Sequence, residues 1–192
     1  MKKIYVIHEN DEWLAPLRKS FKKIKAPFEE WHMNKKVFDY KKFSPEGIFY
    51  NRMSASSHSR GHRYAPENTK NLLNWLEKKK KRIVNNSRAL ELEISKREQY
   101  KELKKFNIKF PKTYYAISKK EIIDKSKNFD KPFITKHNRG GKGLGVKYFK
   151  NTSEVEKYLE EGFEESIDGV TLLQEYIESN PKVITRVEFV KG

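Results

Sequence analysis

Residues 132–146 read PFITKHNRGGKGLGV, and no other stretch of the chain is as informative about its fold. Four glycines fall in the six positions 140–145, between two apolar runs that are typical of strands. Glycine lets the backbone turn tightly and approach a ligand closely, with N–H groups free to point at an anion. The stretch therefore predicts a strand hairpin whose loop could hold phosphate groups.

Basic side chains accompany this loop. Lys136 ends the first strand, and Arg139 and Lys142 lie within the loop, which predicts positive charge where phosphates would lie. The loop is not a Walker loop, because no Lys-Ser/Thr pair opens a following helix. It is not the dinucleotide fingerprint either, because a strand follows the glycines. A glycine-rich hairpin that merely turns the chain is the alternative.

Helix starts are readable on both sides of the hairpin. Ser95 with Glu98, and Ser118 with Glu121, form two capping boxes, and Asn151 is placed to cap a third helix. Lys96 lies in the first turn of the first of these helices. Its amine could reach a phosphate, although an ordinary solvated lysine is the alternative.

The last part of the chain carries two strand-like runs. In residues 171–177, Gln174 and Glu175 follow an apolar run, and their oxygens could accept from an adenine amino group, while the backbone of Ile177 could pair with the ring edge. An ordinary strand ending in solvent is the alternative. Residues 183–190 alternate, with an apolar reverse face, which suits a sheet that lines a cleft.

The first part of the chain alternates short apolar runs with segments of helical periodicity. The predicted strands lie at 4–7, 27–33, 47–53 and 82–85, and helices lie at about 11–24 and 65–76. Strands that alternate with helices in this way predict an α/β fold with a small parallel sheet.

A polar segment, residues 52–64, follows the third of these strands, at the end where open α/β sheets bind ligands. Its basic and hydroxyl side chains suit an anionic group, for example a substrate carboxylate. The candidate substrate-binding residues are Arg52, Ser54, Arg60, His62 and Arg63. A metal site is disfavoured here, because carboxylates are few. A polar surface loop is the alternative.

The composition limits the possible classes of protein. The chain has 192 residues and no cysteine, which excludes disulfides and thiolate metal sites. No apolar run approaches the roughly 18–20 residues of a membrane span, so a soluble cytoplasmic protein is expected. The net charge of +16 permits nucleic-acid binding, with Lys78 to Arg82 as the densest basic run. A lysine-rich solvated surface explains the same charge.

Taken in order, the motifs resemble the ATP-grasp superfamily, and most of all its RimK-like glutamate-ligase group. The resemblance rests on Ser95-Lys96, the segment 110–113, the strand ending in Lys136, the glycine loop, and residues 174–177 and 186–187. It implies a pre-ATP-grasp α/β domain at 1–86 and the first part of an ATP-grasp domain at 87–192. The ATP-binding residues it implies are Lys96, Lys136, Gly140, Gly141, Lys142, Gly143, Gln174, Glu175, Tyr176 and Ile177.

The resemblance also implies a reaction. ATP would phosphorylate a small-molecule or peptide carboxylate, and an amine would attack the acyl-phosphate to form a peptide-like bond. Lysines, an arginine and magnesium would neutralise the charge on the transferring phosphoryl group. Arg186 is the residue expected to face that group or the acyl group, which gives it the catalytic role.

The sequence departs from the family pattern in two places. Ile184 stands where an aspartate usually binds the ribose, so Glu178 or Thr185 would have to substitute. The usual magnesium ligands, an acidic residue and then Glu-x-Asn, are expected beyond Gly192, with none within this chain. A truncated copy or a fragment of a longer chain is therefore predicted, and an inactive nucleotide-binding interaction module is the remaining alternative.

Overall fold

The computed structural model describes residues 1–41, 44–141, 143, 145–179, 183 and 185–188. They form two four-stranded sheets with helices packed against them. None of the helices in these residues is long and apolar enough to cross a membrane. In order, the elements are β1 (Ile4–His8), α1 (Asp11–Lys23), β2 (Phe28–His32), β3 (Ile48–Asn51), a 3-10 turn (Ser57–Arg60), α2 (Ala65–Lys78), β4 (Arg82–Val84), α3 (Ser87–Ile94), α4 (Lys96–Lys105), β5 (Thr113–Ala116), α5 (Lys119–Ser126), β6 (Phe133–His137), β7 (Lys147–Phe149), α6 (Thr152–Glu161) and β8 (Thr171–Glu175).

The first sheet has the order β2-β1-β3-β4, and all its neighbouring strands are parallel, as the sequence predicts. Side chains alternate across it. Tyr5 packs with Trp31 and Phe49 on the α2 side, with Tyr5 ring centroids 5.0 Å from each. Val6 faces the other way and packs against Leu14 of α1. The two cores fix the carboxyl ends of the strands at one edge of the sheet, beside residues 52–64.

The second sheet is antiparallel, with the order β5-β8-β6-β7. One face is covered by α5 and α6, where Phe133, Phe149 and Leu173 form the core with Val155 and Leu159 of α6. Since side chains alternate along a strand, the residues between these core positions point to the opposite face. That opposite face carries the side chains of the candidate site.

The three predicted capping residues, Ser95, Ser118 and Asn151, are confirmed, and Asn10 caps α1 in the same way. In each case the side chain of the residue before the helix accepts a hydrogen bond from a backbone N–H of the first turn, as N-cap residues do. The capping residues are Asn10 for α1, Ser95 for α4, Ser118 for α5 and Asn151 for α6.

Some elements differ from the sequence reading. The helix α3 and the strand β5 were not predicted, and each is short, with eight and four residues respectively. Residues 183 and 185–188 carry no regular secondary structure, so the strand predicted at 183–190 is not present in the described part of that segment. The predicted positions Lys142 and Ile184 lie outside the described residues.

Candidate functional site

Lys136 is held by neutral groups only. Its Nζ atom donates to Gln174 Oε1 and to the Tyr100 hydroxyl, each at 2.8 Å. Gln174 in turn donates from Nε2 to the Tyr100 hydroxyl at 2.9 Å and to Thr113 Oγ1 at 2.8 Å. This network joins β6, β8, β5 and α4, and it fixes the direction of the lysine. Within the described residues, Lys136 makes no ion pair with a carboxylate.

Lys96 approaches the same place from the start of α4. Its Nζ atom donates to the carbonyl oxygen of Gly140 at 2.8 Å and to that of Asn138 at 3.3 Å. Burial, and then the positive charge of Lys136, hold the pKa of the Lys96 amine below its usual value of 10.5. The two lysines therefore repel each other across a half-buried space. A site with two like charges and neutral partners is favourable for an anion.

Asn138 connects the end of β6 to the start of α4. Its Oδ1 atom accepts from the backbone N–H of Arg97 at 2.8 Å. Its Nδ2 atom donates to Asp168 Oδ2 at 2.6 Å and to Ser95 Oγ at 3.2 Å. These contacts bring the first turn of α4, with Lys96, against the root of the glycine-rich loop.

The glycine-rich hairpin is confirmed as an antiparallel connection between β6 and β7. Gly145 has a φ of +68°, and a Cβ atom there would lie 2.1 Å from Cδ2 of His137. Only glycine fits such a position without displacing the imidazole. Gly140 and Gly141 line a cleft of about 280 Å³ together with Lys96, while Gly143 is exposed.

Arg139 does not contribute to the anion site, and this part of the sequence reading is wrong. Its side chain is 4% exposed and donates to Glu67 Oε1 at 2.6 Å and to the carbonyl oxygen of Arg63 at 3.1 Å. Burial alone would raise the pKa of Glu67, but the hydrogen bond from Arg139 outweighs it with the help of other partners, so the pKa is lowered. Arg139 therefore joins the hairpin root to α2.

The residues predicted to hold adenine lie in different environments. Gln174 is buried and serves the lysine network, and Glu175 Oε1 accepts from the backbone N–H of Lys112 at 2.8 Å. Tyr176 is exposed and packs edge-on against Tyr148, with ring centroids 5.0 Å apart. Ile177 is also exposed. Their adenine role stays a prediction.

Arg186 lies apart from these contacts in the described residues. Its side chain is 84% exposed, and its Nε atom lies 2.8 Å from Glu188 Oε1. Its catalytic role stays a prediction, because no described contact joins it to either lysine.

Most of the basic side chains of the polar segment bind other groups of the chain itself. Arg60 donates to both oxygens of the buried Glu9, at 2.5 and 3.1 Å, and Nδ1 of His62 lies 2.8 Å from Glu9 Oε2. Arg63 bonds to Glu67 and to the carbonyl oxygen of Ile167. These three residues do not form a free basic surface of the kind that nucleic-acid binding requires.

Two other residues of the segment line open space. Arg52 and Ser54 border a cleft of about 330 Å³ at the carboxyl edge of the first sheet. Ser54 also borders the smaller cleft that contains Lys96. Trp13 and Glu93 line both clefts, so the two spaces lie side by side. The structure thus brings part of the predicted substrate segment next to the lysine pair.

Sequence reasoning missed several residues of the site. Tyr100 is one of them, although a buried tyrosine hydroxyl usually has a hydrogen-bond partner and could have been used as a signal. Asn138 and Glu93 gave no local signal, because their roles depend on partners far away in the sequence. Asn138, for example, contacts Arg97, 41 residues earlier.

The described residues beside the lysines do not fit a magnesium ion. Glu93 and Asp168 act electrostatically on Lys96. Asp168 already accepts from Asn138 and Ser166, at 2.6 Å each. Within the described part of the chain, no group of three potential metal ligands forms at this place. The expectation that the magnesium ligands lie outside this chain stays a prediction.

Comparisons with known proteins give one family and several structural relatives. A family model described as a RimK-like ATP-grasp domain matches residues 94–192. No curated protein matches the chain.

Among solved structures, the chain is similar to the RimK domain protein ATP-grasp from Sphaerobacter thermophilus, with a TM-score of 0.64, 15% identity, and coverage of 91% of this chain and 65% of that chain. It is also similar to D-alanyl-alanine synthetase A from Vibrio cholerae, with a TM-score of 0.63, 11% identity, and coverage of 92% and 60%. The D-alanine–D-alanine ligase from Helicobacter pylori has a TM-score of 0.60, 18% identity, and coverage of 93% and 64%. The chain thus spans 60–65% of the length of these three proteins.

Proposed function

The chain belongs to the RimK-like ATP-grasp domain family, whose model matches more than half of it, and we propose that it binds ATP to join a carboxylate to an amine. The observation that carries this proposal is the lysine pair. The positive charge of Lys136 helps to lower the pKa of the Lys96 amine, and the hydrogen bonds of both amines to described residues go to neutral oxygen atoms. The negatively charged phosphates of ATP would be the partners of these two positively charged amines.

Each side of the site has a separate task in this proposal. The phosphates lie between the two lysines and beneath Gly140 and Gly141, whose backbone can approach them closely. The adenine lies toward the exposed rings of Tyr176 and Tyr148, which offer an apolar surface at the end of β8. The sheet face that carries Lys136 lies between these two regions.

The carboxylate substrate lies in the cleft that Ser54 shares with Lys96. There, hydroxyl groups and the Lys96 amine can orient a carboxylate toward the terminal phosphate. Arg52 borders the adjoining cleft, and Glu93 lies between the two spaces, where a carboxylate can attract a substrate ammonium group. We therefore assign the carboxylate to the smaller cleft and the amine to the larger one.

The proposed reaction has two steps. A carboxylate oxygen attacks the γ-phosphorus, and the bond to ADP breaks, which yields an acyl-phosphate and ADP. The amine nitrogen then attacks the acyl carbon, loses a proton, and expels phosphate. The lysines contribute by holding the negative charge of the phosphoryl group in place during transfer. Arg186 is proposed to face this group once substrates are bound.

The test is binding of a non-hydrolysable ATP analogue by isothermal titration calorimetry, at fixed pH and salt. We expect saturable binding that is abolished by Lys136→Ala. Lys120→Ala is the matched control, because Lys120 is exposed on α5, on the opposite side of the sheet. Lack of binding by the wild-type chain, or equal binding by a folded Lys136→Ala variant, would remove the basis of the proposal. Duplex DNA is titrated in parallel. If the wild type and Lys136→Ala bind DNA with the same affinity, the chain binds polyanions through other basic residues.

A further inference from the structure

Three potential metal ligands meet at the carboxyl edge of the first sheet. His8 is the last residue of β1, His32 is the last residue of β2, and the two lie opposite each other in the parallel register. Asp11 opens α1 directly beyond β1. One ligand atom of each residue lies within 4.8 Å of the other two. We propose that these three side chains bind a divalent transition-metal ion of the Zn²⁺ class.

The state of His8 is the second observation that points to a ligand. Its side chain is 1% exposed, and neither ring nitrogen makes a hydrogen bond with the described residues, although Nε2 lies 3.5 Å from Oε2 of Glu30. Buried polar atoms in native proteins nearly always have a partner. A metal ion would satisfy one nitrogen of His8 at a position where the described protein groups do not.

The three side chains offer the donor atoms of a transition-metal site. His8 and His32 each contribute one imidazole nitrogen, and Asp11 contributes one carboxylate oxygen. Two imidazole nitrogens and one carboxylate suit Zn²⁺ better than Mg²⁺ or Ca²⁺.

The ligand atoms, which lie within 4.8 Å of one another, would have to approach by at most about 1.4 Å to reach tetrahedral spacing. His32 Nε2 lies 3.9 Å from Asp11 Oδ2. In a tetrahedral site with bonds of about 2.1 Å, ligand atoms lie about 3.4 Å apart, so these two atoms would approach by about 0.5 Å. Asp11 is 52% exposed, so its side chain has room to move toward the two imidazoles.

The neighbouring charges can accommodate the ion. Lys35 Nζ lies 3.2 Å from Asp11 Oδ2, but its side chain is 69% exposed and can move into solvent. Arg18 binds the other oxygen of Asp11 at 2.7 Å, and both oxygens of Glu30 at 2.6 Å. Once Lys35 leaves, two carboxylates face one arginine, and the remaining negative charge favours a cation.

An ion at this position would also stabilise the polar segment, residues 52–64. The ring of His32 lies edge-on to that of His62, with centroids 5.5 Å apart. His62 and Arg60 are the two residues that bind Glu9. The ion would therefore join the ends of two strands and the first turn of α1 to the neighbourhood of the proposed substrate clefts.

Cobalt substitution tests the proposal on the untagged full chain, without ATP. We expect Co²⁺ to bind in a 1:1 ratio, to give visible absorption bands of a four- or five-coordinate ion, and to be displaced by Zn²⁺. His32→Gln and Asp11→Asn should each weaken binding by about 100-fold or more, since the loss of an outer-shell partner alone weakens metal sites by about 10- to 100-fold. His58→Gln, a half-buried histidine outside the cluster, is the control and should bind as the wild type does.

Two results would overturn the proposal: no saturable binding of Co²⁺ or Zn²⁺ by the wild-type chain, or wild-type affinity in folded His32→Gln. Circular dichroism establishes folding for each variant. His32 and Asp11 are chosen because both are more exposed than His8, so that the outcome does not depend on a variant of the buried His8.

Discussion

Replacing Glu9 with glutamine tests how the polar segment is held in place. Glu9 is 1% exposed and ionised, and its two oxygens receive hydrogen bonds from Arg60 and His62. Glutamine keeps the shape of the side chain and removes the charge. Losing one partner of a buried ion pair costs about 3–5 kcal/mol, because the other charge is left without compensation. Arg60 and His62 are about one quarter exposed and can partly rehydrate, so we expect about 2–4 kcal/mol here.

The expected loss has a definite pH dependence. Burial alone would raise the pKa of Glu9, but Arg60 and His62 outweigh it and lower the pKa below that of an unfolded glutamate. A carboxyl whose pKa is lowered by folding stabilises the protein above its unfolded pKa, and this stabilisation disappears as the pH falls through its folded pKa. The difference between wild type and Glu9→Gln should therefore be largest near pH 7 and should shrink below about pH 4.

The assay is urea denaturation followed by circular dichroism at pH 7 and at about pH 3, together with the melting temperature. A change of 2–4 kcal/mol corresponds to a melting temperature lower by roughly 5–15 °C for a chain of this size. Glu12→Gln, an exposed change on the first turn of α1, is the control and should alter stability by less than about 0.5 kcal/mol. If Glu9→Gln is as stable as the wild type at pH 7, the ion pairs do not hold this segment.

Two further substitutions probe the hairpin. Gly145→Ala should lower the melting temperature and weaken ATP-analogue binding, because its Cβ atom would lie 2.1 Å from the ring of His137 and its φ is +68°. Gly162→Ala is the control and should change neither quantity, since no atom lies within 4 Å of the added Cβ. Equal behaviour of the two variants would contradict this explanation. Arg139→Met should destabilise the chain by about 1.5–3 kcal/mol in urea denaturation, because it removes hydrogen bonds to the charged Glu67, which is 45% exposed and keeps Arg63 as a partner. An unchanged free energy of unfolding would show that the contact between the hairpin and α2 contributes nothing.

The elements that the sequence predicted well depend on local patterns. The parallel sheet follows from apolar runs that alternate with helical segments, and the caps at Ser95, Ser118 and Asn151 follow from the residues next to them. The hairpin follows from its glycines. In each case the residues that determine the structure lie within a few positions of one another.

The parts that the sequence did not predict depend on distant partners. Arg139 was expected to face phosphate, but its carboxylate partner Glu67 lies 72 residues earlier. Arg60 and His62 were expected to meet a substrate, but they bind Glu9, 51 and 53 residues earlier. A basic side chain has the same local pattern whether it binds a ligand or a buried carboxylate, so only the tertiary structure distinguishes the two.

The contact between Arg139 and α2 has a mechanical consequence for the glycine-rich hairpin. Arg139 is bonded to Glu67 and to the carbonyl oxygen of Arg63, and these contacts hold the base of the hairpin against α2 and the residues before it. If the hairpin moves when the proposed nucleotide binds, the movement would therefore involve Gly140 and later residues more than Arg139. Because Arg63 belongs to the polar segment, a displacement of Arg139 would also displace backbone that lies beside the proposed substrate clefts.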